Sequence, residues 1–140
     1  MYELPLNEFY DQLTAGDVFR DCTGDACAGD EIIFSEGVFG GSFRSPKFLG
    51  DRAIRARIVK DSYGETRGQH TFTLEIIAAA GYDAAELKPG ARIRRKGRNV
   101  YRNGTARRLW ENEAERADAL QEKHSRGDCA RAKKELARAF

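Results

Sequence analysis

Proline, histidine and tryptophan are scarce in this chain, with three, two and one copies, and no apolar run approaches the roughly eighteen residues of a membrane span. The first residues also lack the charged-then-apolar order of a signal peptide. Together these absences predict a cytoplasmic protein without a membrane partner. The three cysteines, Cys22, Cys27 and Cys129, are an odd number at irregular spacing, which speaks against a disulfide framework and fits a reducing compartment. No nucleophile motif, phosphate loop or paired-carboxylate spacing is present, so an enzyme is not the expected reading. His70 could serve as a base near Glu75 and Tyr63, but without such a set it reads as structural, and His124 reads as a helix C-terminal residue.

Metal binding has little to draw on. Cys22 and Cys27 have four residues between them, with Asp21, Asp25 and Asp30 alongside, but zinc needs two further ligands and only His70, His124 and Cys129 remain. The aspartates do not have the spacing of a calcium loop. They read as an acidic turn, and no cofactor is expected.

What the chain has is unevenly placed charge. Residues 1–85 hold 8 Lys/Arg against 14 Asp/Glu, and residues 86–140 hold 16 against 8, so a net +2 conceals halves of −6 and +8. A basic half of this kind suits a polyanion such as RNA or DNA, and it suits an acidic protein partner equally. The cations peak between Ala91 and Trp110, where eight of twenty residues are Arg or Lys. Asn103-Gly104 is a strong signal for a two-residue turn, because both residues tolerate positive φ. The stretch is therefore predicted to be a two-stranded ribbon pairing Arg102 with Thr105 and Tyr101 with Ala106. Its candidate nucleic-acid contacts are Arg92, Arg94, Arg95, Lys96, Arg98, Arg102, Arg107 and Arg108 on phosphates, with Tyr101 or Trp110 stacking a base.

Along the chain, Leu6, Phe9, Tyr10 and Leu13 recur at helical spacing, with Asn7 as N-cap and Gly16 as terminator. Val18-Phe19 and Glu31 to Phe34 read as short strands. Residues 37–50 hold four glycines and a proline, which predicts a loop pinned by Phe39, Phe43 and Phe48. With Arg44 and Lys47 beside them, Phe39 and Phe43 are a possible secondary binding loop. Residues 52–60 and 70–77 alternate with a period of two, placing Ile54, Ala56, Ile58, Phe72, Leu74 and Ile76 inward. These strands should close as a hairpin with Glu75 across from an arginine. Arg55 and Arg57 face outward, and whether they extend the basic track of the ribbon is open.

Ala78 to Lys88 reads as a connector with helical character, and Lys88-Pro89-Gly90 as a turn. Beyond Trp110 two helices are expected, broken at Arg126-Gly127-Asp128. One would dock through Trp110, Ala114, Ala117 and Leu120, the other through Cys129, Ala132, Leu136 and Phe140.

The order of elements predicts an α+β fold, a small antiparallel β-barrel or strongly curved sheet with an N-terminal helix and a C-terminal helical pair. Residues 1–110 would form the barrel-like domain and 111–140 a helical extension packed on it. A helix closing at Gly16, the run Ala28-Gly29-Asp30-Glu31-Ile32-Ile33-Phe34 and a strand from Ile54 to Val59 together resemble the PUA-like barrels, in particular their ASCH branch. The resemblance covers about residues 6–77 and implies association with RNA or modified DNA. Of the ASCH lysine, acid and arginine after the glycine, only Arg20 has a counterpart. The expected function is non-catalytic nucleic-acid binding. The alternative is a protein-binding accessory or inhibitor factor of phage or plasmid type, and third comes a PUA/ASCH-like enzyme acting on RNA or nucleotides.

Overall fold

The computed structural model describes residues 7–63 and 70–139. Leu6, residues 64–69 of the expected hairpin connection and Phe140 lie outside the described residues. The elements run α1 (Asn7–Thr14), β1 (Phe19–Asp21), β2 (Glu31–Gly41), β3 (Pro46–Tyr63), β4 (His70–Gly81), a 3-10 turn (Ala84–Glu86), β5 (Arg92–Lys96), α2 (Gly97–Tyr101), β6 (Thr105–Arg108) and α3 (Glu113–Ala139). Asn7 is itself helical rather than the residue ahead of the helix. The strands form one antiparallel sheet in the order β1-β6-β2-β3-β4-β5. With β1 and β5 as free edges the sheet is open, not a closed barrel, and the α+β class stands. No helix among the described residues is long and apolar enough to cross a membrane.

Strand alternation gives the sheet two buried faces. Ile32, Phe34, Ile54, Ala56, Ile58, Phe72, Leu74 and Ile76 pack on one side with Val100 of α2 and Leu87. Phe9, Tyr10 and Leu13 of α1 cover Ile33, Ala53, Ala78 and Ala80 on the other. The two alternating segments pair as expected, and Arg57 lies opposite Glu75 at 3.6 Å. β4 runs on to Gly81, through what read as a connector.

Three expectations are overturned. The ribbon at 91–110 does not form: β5 pairs with β4 at one edge, whereas β6 pairs with β1 and β2. Between them the chain turns helical, because Val100 and Tyr101 gain core contacts there. Gly104 (φ 88°) ends that helix, its N–H bonding Tyr101 O at 2.9 Å. The Asn-Gly signal was real, but it marks a helix end.

The glycine-rich segment 37–50 is not a loop. It is the far end of the β2–β3 hairpin, paired down to Gly41 and Pro46. Its glycines seat rings: a Cβ on Gly37 would stand 3.1 Å from Phe39 and 3.2 Å from Phe48, and one on Gly50 would stand 2.8 Å from Tyr82.

The C-terminal pair is one continuous helix, and Arg126-Gly127-Asp128 lies inside it. Ala114, Ala117, Cys129, Ala132 and Leu136 are exposed, while Arg116, Lys123 and Gly127 are buried. The helix docks by its cationic stripe. Beneath it the sheet end presents buried carboxylates, Asp30 and Asp61, and the carbonyls of Asp25 and Ala26, which accept from Arg116, Arg126 and Lys123. Asn112 caps its start, Oδ1 accepting from Ala114 N–H at 3.0 Å.

Candidate nucleic-acid interface

The cations of residues 91–110 divide into two populations. Arg107 is buried against Glu113, its two nitrogens 3.0 and 2.6 Å from the carboxylate, and with the Trp110 N–H it holds that carboxyl down to about 2. Arg95 reaches Glu36 at 2.9 Å, and Arg108 stands 3.6 Å from Asp17. Neither aromatic is free to stack. The Tyr101 hydroxyl accepts from Ala26 N–H at 3.1 Å and its ring meets Phe72 edge-on, burial raising the phenol pKa. Trp110 Nε1 donates to Asp30 at 2.7 Å while its ring lies over Gly29. Arg92, Arg94, Lys96, Arg98 and Arg102 stay exposed.

The register assembles three of these with residues from two other strands. Arg57, Glu75 and Arg92 form one cross-strand row over β3, β4 and β5; Lys60, Thr73 and Arg94 form the next; Ser62, Thr71 and Lys96 form the third. Directly paired residues share a sheet face, so five cations stand on one surface with hydroxyls among them. Of its carboxylates, Glu75 is 3.6 Å from Arg57 and 3.8 Å from Arg92, and Glu31, paired with Arg57 from β2, is held by Arg55. Neighbouring strands are about 4.8 Å apart and alternate residues about 6.7 Å apart, so the cations form a flat lattice rather than a point cluster. Arg57 thus joins the basic track, and Lys60 is an addition that no motif announced. Arg55 does not join: it bonds Leu13 O (2.9 Å), Thr14 O (3.2 Å), Asp17 (2.9 Å) and Glu31 under α1.

A cleft of about 260 Å³ beside the third row is lined by His70, Lys96, Gly97, Arg98 and Tyr101. His70 opens β4 opposite Tyr63, and its ring packs edge-on against Phe72, on the face away from Glu75. Burial, then the Lys123 ammonium, lower the His70 pKa to about 4, against the pull of Asp61. Because the unfolded chain binds this proton more readily, stability should fall as pH drops from about 6.5 to about 4. Urea midpoints across that range check it: His70→Gln should flatten the decline, and an unchanged profile would exclude His70 as its source.

Cys22 and Cys27 belong to the core side of the sheet, where burial and then the Asp30 carboxylate raise both thiols to about 12. Among the described residues no three His, Cys, Asp or Glu side chains are grouped to hold a metal ion. Phe39, Phe43, Arg44 and Lys47 sit at the far end of the β2–β3 hairpin, with Phe43 fully exposed.

A zinc finger CCCH domain-containing protein 62 from Oryza sativa subsp. japonica is 40% identical over an alignment of 122 positions that covers 83% of this chain and 17% of that protein. The chain therefore spans about a sixth of that relative's length. No solved structure matches. The model of a family described as a domain of unknown function, DUF7699, matches residues 27–110, which hold β2 to β6 and all three cross-strand rows. The chain belongs to the DUF7699 family.

Proposed function

We propose that this domain binds nucleic acid non-catalytically through the open face of β3, β4 and β5. The observation that carries the reading is the three-row lattice, in which Arg57, Lys60, Arg92, Arg94 and Lys96 outnumber the carboxylates of Glu75 and the adjoining Glu31. Ser62, Thr71 and Thr73 add hydroxyl donors between the charges, a composition suited to phosphate oxygens. Arg98 in α2 and Arg102 just after it add exposed cations on the side of the sheet where Val100 packs. Register shifts at Val38/Phe39, Arg55/Ala56 and Ile58/Lys60 mark bulges, and we read the sheet as strongly curved by them, an open relative of a small barrel. The PUA-like resemblance adds the same ligand class.

The test is salt dependence. Five phosphates neutralised give a slope of about −3.5 on single strands and about −4.5 on duplex, so raising salt from about 50 to about 200 mM should weaken binding roughly 100- to 500-fold. Replacing Lys60, Arg92, Arg94 and Lys96 with serine should flatten the slope by about 3. No association with oligonucleotides at low salt, or an unchanged slope in the variant, would refute the reading. An acidic protein is the other surface such a lattice fits. A stoichiometric protein retained from nuclease-treated lysate, and not displaced by oligonucleotide, would favour that partner.

A further inference from the structure

The end of the β2–β3 hairpin stands clear of the sheet. β2 pairs with β6 only at Ile32 to Phe34, and β3 pairs with β4 only from Arg52 onward, so the segment from Gly37 to Gly50 has only itself as a strand partner. This ribbon displays the most exposed aromatics of the described residues, Phe43 at 102%, Phe39 at 60% and Phe48 at 54% relative exposure. Phe39 and Phe48 are cross-strand neighbours, their rings 5.6 Å apart at 64°, resting over Gly37. The same segment carries Arg44 and Lys47 and no carboxylate.

We infer that the ribbon tip, with Phe43 leading, is a stacking site for unpaired nucleobases. This rests on the function proposed above and deepens it by naming a single strand as the preferred ligand. A nucleobase has a π-face whatever its identity, and in a duplex those faces are hidden in the stack, so exposed rings beside cations select single strands. Phe39 also borders a pocket lined by Arg95 and Arg102, so further cations stand near the ribbon. An anionic membrane usually recruits a cluster of about four to eight Lys or Arg. The tip offers Arg44 and Lys47, enough to hold a phosphate beside each stacked base.

Phe43 has no packing to lose, which makes it the place for a probe. The Phe43→Trp chain, compared with the parent, is titrated with oligodeoxythymidylate of about twelve nucleotides, a duplex of the same length, and phosphatidylserine vesicles. Emission of the new indole should be quenched by the single strand alone. Phe43→Ala should weaken single-strand binding about tenfold, with the salt slope and duplex affinity unchanged, and Phe43→Leu should not restore it. If the oligonucleotide binds without quenching, or Phe43→Leu binds as well as the parent, the stacking site is wrong and the basic face survives. A blue shift on vesicles without quenching by the oligonucleotide would give the tip to lipid and overturn the inference. If neither nucleic acid binds the parent chain, the proposed function fails with it.

Discussion

Asp30→Ala should lower the unfolding free energy by about 3–5 kcal/mol, seen as a lower urea midpoint with unchanged slope and a thermal midpoint lower by roughly 10 °C or more. Asp30 is fully buried and accepts from Arg116 Nε and a terminal nitrogen, each at 2.9 Å, from Trp110 Nε1 at 2.7 Å and from Cys27 N–H at 3.0 Å. Deleting it leaves an indole and an amide without their acceptor and a buried guanidinium with only the Asp25 carbonyl, and the guanidinium is the costliest. Because the penalty belongs to the orphaned charge, removing both partners should cost less: Asp30→Ala with Arg116→Met is expected to recover much of the loss. Trp110 is the sole tryptophan, so its emission reports the site directly. Additive losses in the double variant, or an unshifted midpoint in the single one, would show that the pair does not hold α3.

The second large effect is at Arg55. Its guanidinium ties together the last carbonyls of α1, Asp17 and Glu31, and it lies 5.2 Å from the centre of the Phe19 ring. A cation at a helix C-terminus both satisfies carbonyls and complements the helix dipole. Arg55→Ala should therefore cost about 3 kcal/mol, somewhat less than a fully buried pair because Asp17 and Glu31 are partly hydrated. Loss of near-ultraviolet signal from Tyr10 would mark α1 leaving the sheet. Arg55→Lys should restore only part of the loss, because an ammonium lacks the planar fork that reaches four acceptors. Full rescue by lysine, or a loss below about 1 kcal/mol for alanine, would reduce Arg55 to a simple surface charge.

Why some of this was legible and some was not follows from how each element is held. Ile54, Ala56 and Ile58, and Phe72, Leu74 and Ile76, alternate because one face of each strand meets the core, and that period survives in the sequence. The Arg57–Glu75 pairing could be read for the same reason. α3 could not, because its buried positions among the described residues are Arg116, Lys123 and Gly127, and a hydropathy pattern turns the helix the wrong way. The Gly37–Gly50 ribbon was misread because glycine normally marks a break, whereas here it makes room for rings that belong to other residues. Of the ten residues expected to touch nucleic acid, Arg95, Tyr101, Arg107 and Trp110 are engaged inside the molecule by partners distant in sequence or on other elements. Lys60 entered the lattice through a bulge next to Val59, which no local pattern encodes.

The strand order also has a consequence for the moment of synthesis. β2, β3 and β4 need only hairpin closures to find one another, so the middle of the sheet can form as it emerges. β1, made first, has β6 as its sole strand neighbour, and β6 is the last strand made. A nascent chain must therefore carry Phe19 to Asp21 unpaired until Thr105 to Arg108 have emerged and seated between β1 and β2. Such late, long-range closure is entropically slow. The rate-limiting event of folding should be the entry of β6, a strand whose own sequence is half arginine.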